Sequence, residues 1–320
     1  MKIGVVVDSS CDLPRSFFEN NDVELMPATI TVGDHSFVDL RDELKTVKFH
    51  LNAKSQLKQK VDTFAETRPF TSEQIEALFL KKLVHKYDHV FCIMATHARS
   101  DIFDDVMKAT RSILIKNRQV RREAGIDGQF TMTVINSGNI LAGVAVLTAE
   151  VVRMIKAGAT PSVIESRINE LAQHTYCYLV PPDLTHVYKR ASKRGDKSIS
   201  WAGFMLGSML DIKPILCAHM DHTGPVAKTR HFDAAVETMF ANATRSVEAG
   251  LLTPSICLAY GGDPDDMLRL PGFMRLKRAA GLAGTTVHIT PMAISGAVHT
   301  GPGCVSVAFV SDQHVFEEKV

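Results

Sequence analysis

Short unbroken apolar runs alternate with stretches of helical period through the first half of the chain. Residues 3–7, 23–32, 89–95 and 130–135 are apolar runs of strand length, the second rich in β-branched residues. Between them, 14–21, 73–86, 102–116 and 140–157 carry the spacing of amphipathic helices. Continuous apolar strands separated by helices imply a mostly parallel sheet covered on both faces. Residues 1–158 are therefore expected to form a doubly wound α/β domain. Residues 45–67 are polar and rich in Lys and Gln, and suggest an exposed helix before a loop at Arg68-Pro69-Phe70.

Gly158-Ala159-Thr160-Pro161 is a turn cluster and the expected boundary, with Thr160 capping a helix that has Pro161 at its first position. Beyond it the order changes. Helices are expected at 161–173, 184–192, 200–211, 232–250 and 264–280. Strands are expected at 175–180, 255–259, 285–289 and 305–310, with a strand pair at 212–220 and 226–229 joined through His222-Thr223-Gly224-Pro225. Hairpins mixed with helices make residues 159–320 an α+β domain. The string His-Thr-Gly-Pro occurs at 222–225 and again at 299–302, which two similar tight turns explain.

The length of 320 residues fits two such domains, and 45% apolar against 22% charged residues excludes disorder as the main state. Lys plus Arg is 36 and Asp plus Glu 35, a net charge of +1 that argues against nucleic acid as the main partner. The one basic run, Lys116, Arg118, Arg121 and Arg122, reads as a solvated helix end. No window is long and apolar enough to span a membrane, and the chain opens on a strand rather than a secretory signal, so a cytoplasmic location is expected. The six cysteines are scattered, mostly in apolar strands, and read as inert buried thiols.

Candidate chemistry gathers in hydroxyl-rich loops expected at the carboxyl edge of the parallel sheet. These are Asp8-Ser9-Ser10-Cys11-Asp12, Thr96-His97-Ala98-Arg99-Ser100-Asp101 and Asn136-Ser137-Gly138-Asn139, with Thr71-Ser72-Glu73-Gln74 opening a helix towards the same edge. Thr71 and Gln74 have capping-box spacing, and the free N–H groups of that helix end also attract an anion. Ser100 likewise reads as a helix cap, with Asp101 and Asp104 in the first turn. Asp8 is either an aspartyl nucleophile, weakened by Ser10 where a second carboxylate is usual, or a carboxylate that organises the edge by accepting loop N–H groups. His299 sits in Val298-His299-Thr300-Gly301-Pro302-Gly303, a turn stiff enough to aim an imidazole. No H-E-x-x-H is present, His219 and His222 lack companions, and no phosphate loop follows Gly301, so neither metal nor cofactor is expected.

Four segments together resemble the DegV family of bacterial fatty-acid-binding proteins. They are Val6-Val7-Asp8-Ser9-Ser10-Cys11-Asp12-Leu13-Pro14, Pro69-Phe70-Thr71-Ser72, Gly207-Ser208-Met209-Leu210-Asp211-Ile212-Lys213-Pro214-Ile215-Leu216 (followed by Lys228 and Arg230), and His299-Thr300-Gly301-Pro302-Gly303. The resemblance implies two domains with one long-chain fatty acid in a closed apolar tunnel between them. Thr71, Ser72, Arg99, Ser100 and His299 would face the carboxylate, with Asp8, Ser9, Ser10, Thr96, Ser137, Lys197 and Thr300 in support. It also implies a non-catalytic subunit that presents the carboxylate to a fatty acid kinase. Two positions depart from the family pattern: Arg99 stands where a second head-group Ser is usual, and Ser198, beside Lys197, where an Arg is usual. The residues alone leave open a hydrolase or phosphotransferase using Asp8, Ser10 and His299, and a binding module for another amphipathic anion served by Arg99 and Lys197.

Overall fold

The computed structural model describes residues 1–58, 65–184, 187 and 212–318. The expected helix at 200–211, Lys197, Ser198 and nearly all of 184–192 lie outside them.

In chain order the N-terminal half runs β1 (Ile3–Asp8), α1 (Arg15–Asn20), β2 (Val23–Met26), β3 (Ala28–Val32), β4 (His35–Asp39), α2 (Glu43–Lys58), β5 (Ala65–Arg68), α3 (Ser72–Leu78), a π-helical turn (Phe79–Leu83), α4 (Val84–Lys86), β6 (His89–Met94), α5 (Ile102–Glu123), β7 (Thr131–Asn136) and α6 (Ala142–Lys156). The C-terminal half runs α7 (Pro161–Ala172), β8 (Thr175–Val180), β9 (Lys213–His219), β10 (His222–Thr229), α8 (Phe232–Ala249), β11 (Ser255–Tyr260), a 3-10 turn (Pro264–Arg269), α9 (Phe273–Leu282), β12 (Thr286–Pro291), α10 (Ile294–Thr300) and β13 (Val305–Val310).

The first sheet is fully parallel, ordered β2-β1-β6-β7, with Val5 opposite both Val23 and Phe91. Its side chains alternate between faces, as a doubly covered strand requires. Val6, Val90, Cys92 and Met94 pack against α3 and α5, while Val5, Val7, Phe91 and Ile93 pack against α6. The second sheet is mixed, ordered β10-β9-β8-β13-β11-β12, with only β11 and β12 parallel. One of its faces meets α6 and α7 through Cys177, Leu179, Cys257 and Ala308; the other meets α8 and α9 through Tyr178, Ile256 and Val307. The layers are therefore helix, sheet, helix, sheet, helix, with α6 in the middle and almost wholly buried. Gly158 follows the helix that both sheets share. No described helix is long and apolar enough to cross a membrane.

The expected single strand at 23–32 is two strands in different sheets. Pro27 separates them and has no N–H for a ladder. Ser9 holds the break: its N–H donates to the Met26 carbonyl at 3.0 Å and its Oγ accepts from Ala28 N at 3.1 Å. β3 then centres a third, antiparallel sheet ordered β4-β3-β5, which the hydrophobic pattern did not predict. The expected polar helix at 45–67 is α2 followed, after the undescribed residues, by β5.

Several further expectations change. Helix 264–280 is broken by Pro271-Gly272 into the 3-10 turn and α9, with Gly272 at φ +81°. The two His-Thr-Gly-Pro strings differ in structure. Residues 222–225 lie within β10 and the actual turn is Met220-Asp221, both at positive φ, whereas His299 and Thr300 end a helix that Gly301 stops at φ +87°. Thr160 occupies the cap position before Pro161, but its hydroxyl pairs with the Ser162 hydroxyl at 3.3 Å and caps no backbone N–H. The basic run is not uniformly solvated. α5 continues to Glu123 and buries Arg121, whose guanidinium donates to the carbonyls of Val84, Tyr87, Asp127 and Gly128 and to Asp88. Cys217 is half-buried and the other five thiols are buried; desolvation pushes Cys217 and Cys304 up to about 12.

Polar anchors join the N-terminal elements to residues 290–295. Asp12 accepts from Ala293 N at 2.8 Å, and Arg41 Nη2 lies 3.5 Å from Asp12 Oδ1 and 3.3 Å from the Pro291 carbonyl. Arg41 N donates to Asp39 Oδ1 at 3.0 Å, and His50 Nε2 bonds the Met292 carbonyl at 2.7 Å. Burial pushes Asp12 from 3.8 up to about 7, although Arg41 and the Ala293 N–H oppose the rise. Burial likewise pushes His50 from 6.5 down to about 4. The two shifts act on stability with opposite sign. Between 3.8 and 7 the folded chain keeps a proton on Asp12 that the unfolded chain has lost, so stability falls as pH rises through that window. Between 4 and 6.5 the unfolded chain carries a proton that His50 lacks, so stability rises with pH there. Asp12→Asn removes only the first slope. Urea unfolding at about pH 5 and about pH 8 should show wild type losing stability relative to this variant at the higher pH, by at most about 1.4 kcal/mol per pH unit across the window. A difference independent of pH contradicts the assignment.

Candidate functional site

α10 is a short helix whose residues face two environments. Ile294 and Val298, four apart, lie on one side and pack on Ala28 and Ile30 of β3, with Val32, Phe49 and Ala65 beside them. Gly296 lets the helix approach closely, because a Cβ there would sit 2.6 Å from Leu141 Cδ2. His299, half-buried in the last turn, places Nε2 3.1 Å from the hydroxyl of Thr67 on β5. The imidazole is thus held by a helix rather than by a loop. The neighbouring Thr300 hydroxyl donates back to the Gly296 carbonyl at 3.0 Å, so Thr300 is spent within the helix.

Thr67 lies opposite Ile30 in the third sheet, and the chain leads from it through Arg68-Pro69-Phe70 to Thr71. Thr71 forms the capping box of α3: its Oγ1 accepts from Gln74 N at 3.4 Å and its own N–H donates to Gln74 Oε1 at 3.0 Å. Thr71 is exposed and Ser72 half-buried. Hydrogen bonds from the Thr71 and Ser72 hydroxyls hold the Glu73 carboxyl below its ordinary range. An anion arriving at this helix end would compete with Glu73 for both hydroxyls.

The other predicted residues form a second group at the carboxyl edge of the parallel sheet, where each is engaged within the protein. Asp8 accepts from Ser10 N at 2.8 Å, from the Ser10 hydroxyl, and from Ala95 N at 3.1 Å. The Ser10 hydroxyl therefore points its proton at Asp8, and among the described residues no hydrogen bond joins Ser10 to His299. Ser137 is buried, its hydroxyl donating to the Asn139 carbonyl at 3.1 Å. Ser100 stands one residue ahead of the cap position Asp101, and its Oγ accepts from Ile102 N at 3.3 Å.

Sequence reasoning missed what this edge grips. The Met220-Asp221 turn between β9 and β10 inserts there. Asp221 accepts from the Thr96 hydroxyl and, at 2.9 Å, from Asn136 Nδ2, while its N–H donates to the Gly138 carbonyl at 2.9 Å. His97 Nε2 lies 3.7 Å from Asp221 Oδ2. Arg99 Nη2 donates to the Thr223 carbonyl at 3.3 Å, and Asn139 Nδ2 donates to the carbonyls of Thr175 and Ala218. Two consecutive non-Gly residues at positive φ are costly, and Asp is among the residues that tolerate it best. An Asp in a two-residue turn was the available signal for this hairpin. Thr67 carried no signal, being one Thr in an undistinguished polar stretch. Among the described residues no group of three or more His, Cys, Asp or Glu is placed to hold a metal ion.

Comparison with known proteins gives the family and the fold. The family model described as an uncharacterised protein of the DegV family matches residues 2–312. A DegV domain-containing protein of Xanthomonas campestris pv. campestris is 39% identical over 317 residues, 99% of either chain. Among solved structures, a fatty-acid-binding DegV family protein from Thermus thermophilus superposes with a TM-score of 0.75 at 18% identity, covering 98% of this chain and 100% of that one. A stearic acid-binding protein from Eubacterium ventriosum gives 0.74 at 18% identity, covering 97% and 98%. The structural likeness establishes the fold, and the match across nearly every residue establishes descent: the chain belongs to the DegV family.

Proposed function

We propose that this protein binds one long-chain fatty acid between its two units. The carboxylate is held near Thr71, Ser72, Thr67 and His299, and the acyl chain extends from there into the apolar interior between the units. The observation that carries this reading is α10 itself, which sets Ile294 and Val298 in an apolar cluster and, one residue further, an imidazole against a threonine hydroxyl. One short helix is thus anchored on its apolar side and presents a polar end. Fatty acids are the ligands named for solved structures of the same fold. Arg99, Thr96, Asp8, Ser9, Ser10 and Ser137 serve by holding the loops and the second unit around the ligand. Ser100, expected at the carboxylate, instead braces the start of α5, and Thr300 stabilises the end of α10. The protein itself performs no chemistry and hands the exposed carboxylate to a partner such as a fatty acid kinase in the cytoplasm.

The energetics suit a carrier. Burying about fifteen methylenes at about 0.8 kcal/mol each gives a gross stabilisation on the order of 12 kcal/mol. Ordering the chain and losing translational freedom offset much of it. The tail therefore supplies affinity, and the head group fixes register through its directional hydrogen bonds.

Mass spectrometry of an organic extract of the purified chain should recover one long-chain acid per protein. An empty protein that also fails to bind added stearate overturns the reading. In a displacement assay, Thr71→Val and His299→Ala should each weaken stearate binding about tenfold and leave the methyl ester nearly unaffected, because each removes a partner of the charged group. Arg99→Ala should instead weaken acid and ester alike, since its guanidinium braces the second unit. Glu73→Gln should strengthen stearate binding about two- to threefold, a modest gain because the site is exposed to solvent. Weaker binding by Glu73→Gln would place the carboxylate elsewhere.

A further inference from the structure

α10 is held at both ends, and only its carboxyl end belongs to the site proposed above. At its amino end, side chains from three N-terminal elements grip four consecutive residues. His50 on α2 bonds the Met292 carbonyl at 2.7 Å. Asp12, beyond β1, accepts from Ala293 N at 2.8 Å. Asp39, at the end of β4, accepts from Arg41 N and feels the N–H groups of Ile294 and Ser295 electrostatically. Arg41 stands between the two carboxylates, its N–H on Asp39 at 3.0 Å and its Nη2 3.5 Å from Asp12. It adopts φ +57°, an uncommon conformation for a side chain of that size. Asp12, Asp39, Arg41 and His50 are all at most 3% exposed.

Buried charges are poor stabilisers compared with apolar residues of the same volume, but they are highly directional. Here their directions converge on the backbone of residues 292–295, the amino end of the helix that carries His299. We propose that Asp12, Asp39 and Arg41 are positioning residues for His299, fixing the amino end of α10 so that the imidazole stands against Thr67. The inference rests on the fatty-acid reading for its functional meaning. Seven helical residues span about 10 Å. Internal bonds from Ala297 N to the Ala293 carbonyl at 2.9 Å and from the Thr300 hydroxyl to the Gly296 carbonyl at 3.0 Å make the helix a strut. A displacement at Ala293 is therefore delivered to His299.

The test compares wild type, Asp39→Ala, Asp39→Asn, His299→Ala and the double variant Asp39→Ala/His299→Ala as full chains. Two measurements are made: affinities for stearate and for methyl stearate, and the ring resonances of His299 by nitrogen NMR of isotope-labelled, ligand-free protein. Asp39→Ala should lower stearate affinity about tenfold with the ester unchanged, shift the His299 ring resonances, and add nothing to His299→Ala. Asp39→Asn keeps an acceptor oxygen and should recover most of the loss. Equal losses for acid and ester, additive losses in the double variant, or unmoved His299 resonances each overturn the proposal. If wild type binds neither ligand, the fatty-acid reading falls, and the NMR comparison alone decides whether Asp39 sets the imidazole. If Asp39→Ala does not fold, Arg41→Lys, which keeps the charge but loses the planar fork, is judged by the same two measurements.

Discussion

The structure depends on one helix serving two sheets. α6 runs Ala-Gly-Val-Ala-Val-Leu-Thr-Ala-Glu-Val-Val-Arg-Met-Ile-Lys, apolar nearly all round, and a helix of that kind is stable only when covered on every side. The parallel sheet covers one side through Val5, Val7, Phe91 and Ile93, and the mixed sheet covers the other through Cys177, Leu179, Cys257 and Ala308. Each buried aliphatic side chain is worth about 1.5–3 kcal/mol of transfer energy, so parting the sheets would expose far more apolar surface than a marginally stable chain tolerates. Glu150, the one acid on the helix, is 3% exposed and is matched by a bidentate pair with Arg153 at 2.7 Å. The two units accordingly share a core, and whatever lies between them is shaped by both.

A shared core imposes a condition on its rim. Loops that leave the sheets at the junction carry backbone and side-chain polar groups out of water, and these must find partners inside. Asn139 does this for two strands at once, donating to Thr175 on β8 and Ala218 on β9. Asp221 does it from the opposite direction, entering the first sheet's edge from the β9–β10 turn. Arg41, Asp12 and His50 do it for residues 290–293. These contacts contribute little net stability compared with the apolar layers. Their directionality decides how one unit sits on the other. The carboxyl edge of a parallel sheet, where ligands usually lie, is here largely occupied by the protein's own second unit.

What was legible in the sequence follows from the same division of labour. β1, β6, α8 and β13 were readable because they build the apolar layers, and layers write themselves into periodicity. β4, β5 and α10 were not. β4 is five residues with four exposed, β5 is four residues of which three are polar, and α10 is a seven-residue helix containing glycine and ending in His-Thr. None is long enough to show a period, and all are held by contacts with residues distant in sequence. Pro27 was the one local mark of the third sheet, since a residue without an N–H forces the ladder to change partners. The capping box at Thr71 was legible because capping is local chemistry. The partner of His299 was not, since 232 residues separate it from Thr67.

The illegible elements are the ones around the candidate site, and this has a physical reason. An acyl chain is recognised by non-directional burial, so an apolar surface of roughly the right shape holds it in any of several registers. A carboxylate is recognised by hydrogen bonds that fail within a fraction of an ångström, so the groups that meet it must be fixed independently of the tail. Elements that define a head-group site therefore need short, polar, tightly anchored segments, and such segments lack the repetitive apolar pattern that marks a core. α10 meets both needs in two turns. Ile294 and Val298 anchor it in an apolar cluster, His299 meets the Thr67 hydroxyl, and side chains of the N-terminal half bond the backbone where the helix begins. On the proposal above, the position of the polar end is set by groups at the opposite end of the helix.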